Sequence, residues 1–151
     1  MKFFTVLLLA LIISSCTKEK IDPVVVTSGN ATITGIARAD LDLTQLGLEY
    51  APKGTVIFAK INLGDLVLKE DDDSTLYGDR IYKTTVGVNG RYTVNVEANE
   101  LNVNVSIMGE DFEYNQIVND TLIIRKIYTL ATNHTIVIDG MTKVVDLTYN
   151  N

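Results

Sequence analysis

The sequence predicts an all-β sandwich of about seven to nine strands behind a short apolar leader. Three observations carry this. Apolar and polar residues alternate over short runs: Tyr92, Val94 and Val96 fall on one face, Arg91, Thr93, Asn95 and Glu97 on the other. Turn signals punctuate the runs, with Asn89-Gly90 and Asp139-Gly140 reading as two-residue hairpin turns. Helical periodicity is nearly absent. Only Leu41 to Leu48 has the apolar residues for a short helix, and Asp40, Asp42 and Gly47 suit an extended loop equally well.

The elements follow in order. Residues 31–37 (ATITGIA) are rich in β-branched side chains and open the folded part. Thr55 to Ile61 puts Ile57, Ala59 and Ile61 on one face. Ile81 to Val88 is a further strand, and Arg91 to Glu97 returns from it across Asn89-Gly90. Val103, Val105 and Ile107 alternate with Asn102, Asn104 and Ser106. Phe112 to Val118, Leu122 to Leu130, His134 to Ile138 and Lys143 to Thr148 complete the series, the last two joined by Asp139-Gly140. Such alternation gives each strand one wet face. About 120 folded residues bury close to two-thirds of their surface, enough for a core without disulfides.

The N-terminus reads as an export signal. Met1-Lys2 is a positive start, and Phe3 to Ile13 is apolar except for Thr5. Spanning a bilayer takes about 20 apolar residues, whereas a signal-peptide core takes about 7–15. Ile13-Ser14-Ser15-Cys16 then resembles the lipobox of bacterial lipoproteins. That resemblance implies cleavage before Cys16 and acylation of its sulfur and its new amino group. It implies an outer-membrane lipid anchor, on the periplasmic face or the cell surface of a Gram-negative bacterium. The organisation is then residues 1–15 signal, 16–30 lipidated cysteine and tether, 31–151 sandwich. Within the tether, Val24 to Val26 reads either as linker or as an edge strand.

Composition excludes several classes. Among 151 residues there are 13 Lys+Arg and 19 Asp+Glu, a net charge of -6. Removing residues 1–15 takes away one cation, Lys2, and brings the net charge to -7. A nucleic-acid binder needs a basic face for phosphates, so no nucleic-acid partner is expected. One Cys and one His leave neither a disulfide framework nor a Cys- or His-rich metal centre.

The middle of the chain resembles a second family. Thr32 to Ala37, the Ala51-Pro52-Lys53-Gly54 turn entering Thr55-Val56-Ile57, and Tyr82 to Val94 with its Gly90-Arg91-Tyr92 return are similar to carboxypeptidase regulatory-like domains. The similarity covers about Ala31 to Val118. It implies a Greek-key, transthyretin-like sandwich serving as a spacer, assembly or binding module without catalytic residues. Val86 and Gly87 depart from that pattern, which has an Asp before the turn.

Candidate sites are few. Asp71, Asp73 and Thr75 alternate in an acidic run as calcium ligands do, yet Leu76 and Tyr82 occupy the EF-hand's glycine and glutamate positions. A solvated loop and weak calcium binding are the two readings, and no other cofactor is expected. Asp73-Ser74-Thr75 and Asp120-Thr121-Leu122 resemble envelope O-glycosylation acceptors, at Ser74 and Thr121. His134 reads as a strand-end residue or a general base, with no Gly-x-Ser-x-Gly elbow to serve. Glu97, Glu100, Glu110, Asp111 and Glu113 offer carboxylates for an acid–base pair only if folding brings two together. Tyr77, Tyr82 and Tyr92 read as cross-strand packing or an aromatic binding face. The expected function is a non-enzymatic, membrane-anchored binding or scaffolding module for an envelope protein or glycan. The alternatives are a pilus or adhesion subunit and a small acidic-residue hydrolase.

Overall fold

A computed structural model describes residues 29–67 and 77–151. The long strand β1 (Gly29–Ala39) organises the first sheet. β5 (Arg91–Ala98) runs antiparallel to it from Gly29↔Ala98 to Ile36↔Arg91, and β2 (Glu49–Tyr50) continues that edge at Arg38↔Tyr50. β10 (Thr142–Val144) and β11 (Leu147–Tyr149) pair parallel with the first and second halves of β1. The second sheet has the order β4 (Asp79–Thr85), β3 (Val56–Asn62), β6 (Val103–Gly109), β9 (Asn133–Val137), all antiparallel. A single 3-10 turn, Leu63–Leu66, follows β3. Among the strands, β7 (Phe112–Asn119) and β8 (Leu122–Tyr128) pair only with each other as a separate hairpin, and Ile117 adds an isolated parallel bridge to Asp42.

The core lies between the two large sheets. Ala31, Ile33, Ala37 and Ala39 of β1 and Tyr92, Val94, Val96 and Ala98 of β5 face it from one side. Ile57, Ala59, Ile61, Val103, Val105, Ile107 and Val137 face it from the other. Each fully buried Val or Ile contributes about 1.5–3 kcal/mol of transfer free energy. The expected all-β sandwich is therefore the fold, and the inward faces of β3, β5 and β6 are those the alternation predicts.

Three expectations need correction. Neither turn signal closes a two-stranded hairpin. Asn89-Gly90 links β4 in one sheet to β5 in the other, and Asp139-Gly140 links β9 to β10 across the sandwich. The turn residues do their local work: Gly90 and Gly140 both have φ +72°, and among the described residues no non-glycine residue has positive φ. A type I′ turn needs positive φ at both central residues, so neither is one. The flanking backbone then goes where its partners are. Val86 donates to Thr55 in the second sheet, while the carbonyl of Gly90 accepts from Ala37 in the first.

The predicted strand Lys143 to Thr148 is two strands. Val145 donates to the Thr34 carbonyl, and the Asp146 carboxylate accepts from Ile36 N–H at 2.8 Å, which breaks the ladder between β10 and β11. Leu41 to Leu48, which the sequence left open between helix and loop, is a loop. Asp42 accepts from the N–H and hydroxyl of Thr44 at 3.0 and 2.6 Å, a side-chain turn that competes with helix start. With these pieces the described strands number eleven, several only two or three residues long. β1 also begins at Gly29, two residues before the expected start of the sandwich, where Asn30 N–H donates to Asp139 Oδ1.

Candidate functional site

The hairpin departs from the alternation seen elsewhere. Leu122, Ile123 and Ile124 are consecutive apolar residues, so both faces of β8 are apolar near the tip. Every residue of β8 but Lys126 and Tyr128 is exposed, Ile123 at 62 % and Ile127 at 57 %. On β7, Tyr114 and Ile117 are exposed as well. The neighbouring loop adds Leu43, Leu48 and Leu46, the last at 107 %. Leu43 N–H donates to the Ile117 carbonyl and Ile117 N–H to the Leu41 carbonyl, so loop and hairpin form one apolar pole. Contiguous exposed apolar surface marks an interaction site far more than scattered single residues do.

The hairpin is held by the side chains of Phe112, Gln116 and Tyr128. Gln116 is buried, and its Nε2 donates to the Asp40 carbonyl at 2.8 Å. Tyr128 is fully buried, and its hydroxyl donates to the same carbonyl at 2.6 Å. Desolvation raises the Tyr128 pKa and keeps it a donor. Phe112 stacks on Tyr128 with ring centroids 5.2 Å apart and tilts against Tyr149 at 5.0 Å. At the tip, Asn119 Oδ1 accepts from the N–H groups of Thr121 and Leu122 and from the Thr121 hydroxyl. A register shift between Ile117 and Asn119 leaves Val118 without an opposite residue.

The middle of the hairpin is polar. Arg125 pairs with Glu113 across the strands. Together with Tyr114 and Asn115 they line a shallow hollow of about 500 Å³. β8 itself carries two cations, Arg125 and Lys126, and no acid. On the β7 side, where Asp42 bridges Ile117, the Asp42 carboxyl is held below its usual pKa, chiefly by the Thr44 hydroxyl.

The residues singled out in the sequence are not gathered here. Ile13, Ser14, Ser15, Cys16, Asp71, Asp73, Ser74 and Thr75 lie outside the described residues. Thr121 is exposed at the hairpin tip. His134 faces Ser106 across β9 and β6, Nδ1 to Oγ 3.2 Å, on the open face of the second sheet. Among the described residues no three His, Cys, Asp or Glu side chains converge to hold a metal. Glu97 pairs with Arg80, Glu113 with Arg125, and Glu100, Glu110 and Asp111 are exposed in loops.

The three tyrosines resolve as packing rather than an aromatic face. Tyr92 is buried and donates to the Val145 carbonyl at 2.6 Å. Tyr82 packs on the core, and its hydroxyl accepts from Glu97 N–H at 3.2 Å. Tyr77 is half-buried beside Gly64. The apolar pole escaped the sequence reading, although the non-alternating Leu122-Ile123-Ile124 was the signal for it.

No family model matches the chain, and no curated protein matches it.

Proposed function

We propose that this chain is a non-enzymatic lipoprotein of the Gram-negative envelope, anchored through Cys16, whose sandwich presents the β7–β8 hairpin to a protein partner. The observation that carries the docking role is the apolar surface on both faces of a hairpin that pairs with neither sheet. A protein ligand suits that surface better than a glycan, because exposed Ile and Leu offer burial and few hydrogen bonds. The anchor rests on the lipobox resemblance and on Cys16 being the sole cysteine. Acylation by two or three chains gives stable attachment, whereas one chain is marginal.

Two measurements test the two halves of this reading. Cys16→Ser is expected to move the protein from the membrane fraction to the soluble one. Pelleting of the variant with membranes after a carbonate wash would remove the anchor. For the docking role, the lipidated chain is crosslinked in intact cells and recovered. One dominant partner is expected, lost when Ile123→Lys and Ile127→Lys are combined. Unchanged recovery with that double variant would place the docking surface elsewhere.

A further inference from the structure

The hairpin's backbone specifies which part of it docks. In an antiparallel ladder, alternate residues turn both N–H and C=O toward one neighbour, and the residues between turn theirs the other way. Ile117 bonds Leu41 and Leu43 through its N–H and C=O, at 3.0 and 2.8 Å, so its backbone faces away from β8. Ile123 lies opposite Ile117, Arg125 opposite Asn115 and Ile127 opposite Glu113. These three therefore turn their backbone groups away from β7. Thr129 keeps the same phase, and its N–H and C=O bond Asn150 at 2.8 and 2.9 Å. Past that pair, the N–H and C=O groups of Ile127, Arg125 and Ile123 have no backbone partner among the described residues.

β8 is thus an open edge of sequence LIIRKIY, without Pro or Gly. Such an edge is a template for an added strand. A second copy fits it poorly. The two-fold antiparallel register that uses all three open residues sets the two Arg125 side chains directly opposite each other, and like charges so placed destabilise the pair. The bodies of the two copies would also repel, each being acidic overall. A strand with carboxylates at those positions is favoured instead. β8 carries two cations and no acid, and Lys126 makes no ion pair among the described residues.

We infer that the open edge of β8 binds an extended acidic and apolar segment of a partner protein by strand addition. The segment's backbone pairs with Ile123, Arg125 and Ile127. Its carboxylates meet Arg125 and Lys126, and its β-branched side chains cover Ile123, Ile124 and Ile127. This rests on the reading of the hairpin as a docking arm and adds how it docks.

The test uses the full chain in detergent solution and a capped, fluorescein-labelled peptide Thr-Val-Glu-Glu-Val-Val-Thr, which in antiparallel register sets its glutamates opposite Lys126 and Arg125 and its valines opposite Ile127, Ile124 and Ile123. The same peptide with lysine in place of both glutamates is the control. The glutamate peptide is expected to bind at least tenfold more tightly and to slow amide exchange in residues 122–128. Ile127→Pro removes an N–H that points away from β7, so the hairpin keeps its own bonds. It is expected to weaken binding tenfold or more with the melting temperature unchanged. If that variant does not fold, Lys126→Glu supplies the second arm, and the preference should shift toward the lysine peptide. Three results would overturn the inference: no binding at millimolar peptide, equal affinity for both peptides, or a dimer in light scattering that Ile127→Pro dissolves. If the cellular partner is lost with the Ile123→Lys, Ile127→Lys pair but kept with Ile127→Pro, the arm stands and strand addition falls.

Discussion

A methyl group at Gly35 would meet the Val145 carbonyl oxygen at 1.9 Å. That oxygen belongs to the backbone at the break between β10 and β11, and it already accepts from the Tyr92 hydroxyl. Neither side can yield, so Gly35→Ala is expected to destabilise by about 3 kcal/mol or more, at the upper end for overpacking. Urea denaturation reads this directly; a loss within error of zero would mean the strands separate freely there. Two of the three core tyrosines behave oppositely. The Tyr149 hydroxyl is buried against Gly109 and has no hydrogen-bond partner among the described residues. Tyr149→Phe should therefore be neutral or stabilising by about 1 kcal/mol, whereas Tyr92→Phe strands the Val145 carbonyl and should cost about 1–2 kcal/mol. Burial raises the Tyr149 pKa to about 12 from an ordinary 10.0, and pushes Tyr92 up as well. Between those pH values the unfolded chain releases protons that the folded chain retains. Stability is therefore full below pH 10 and falls as pH rises toward 12. Melting temperatures across that range should drop, and less steeply in Tyr149→Phe.

At the scale of elements, the hairpin is the weakest unit. A two-stranded hairpin is marginal in water by itself, and this one leans on the Asp40 carbonyl through Gln116 and Tyr128. Gln116→Ala should loosen β7 and β8 while the two large sheets persist. Hydrogen exchange is expected to quicken in residues 112–128 and stay slow in β1 and β5. Uniform acceleration would instead make the hairpin part of the global fold. The same contrast explains what the sequence disclosed. Strands buried on one face announce themselves, because Tyr92, Val94 and Val96 must point one way and Thr93 and Asn95 the other. The anchoring of the arm was illegible, since Gln116 and Tyr128 reach a carbonyl 76 and 88 residues away in the chain. The turns misled for a related reason. Asn89-Gly90 dictates a local reversal, but whether the flanking strands pair depends on Val86 finding Thr55 and Ala37 finding Gly90.

The whole molecule is polar along β1. That strand has eleven residues, about 36 Å at ~3.3 Å each. At its start Gly29 pairs with Ala98. Just past its end the Asp40 carbonyl holds the hairpin. The start of β1 and the arm therefore lie at opposite ends of that strand. Inserting the arm would press an acidic body against anionic headgroups, which repel it, so under the proposed anchoring the arm points away from the membrane. If instead Leu46, Leu122 and Ile123 entered lipid, their exposure would be explained without any protein partner. The two arrangements differ in distance. With the chain lipidated at Cys16 and seated on vesicles of phosphatidylcholine and phosphatidylglycerol bearing a headgroup acceptor, a donor dye is attached through Glu100→Cys or Thr121→Cys. Both sites are exposed, one beside the start of β1 and one at the hairpin tip. Energy transfer is expected to be stronger from position 100. Stronger transfer from position 121 would turn the molecule over and make the apolar pole a second membrane contact.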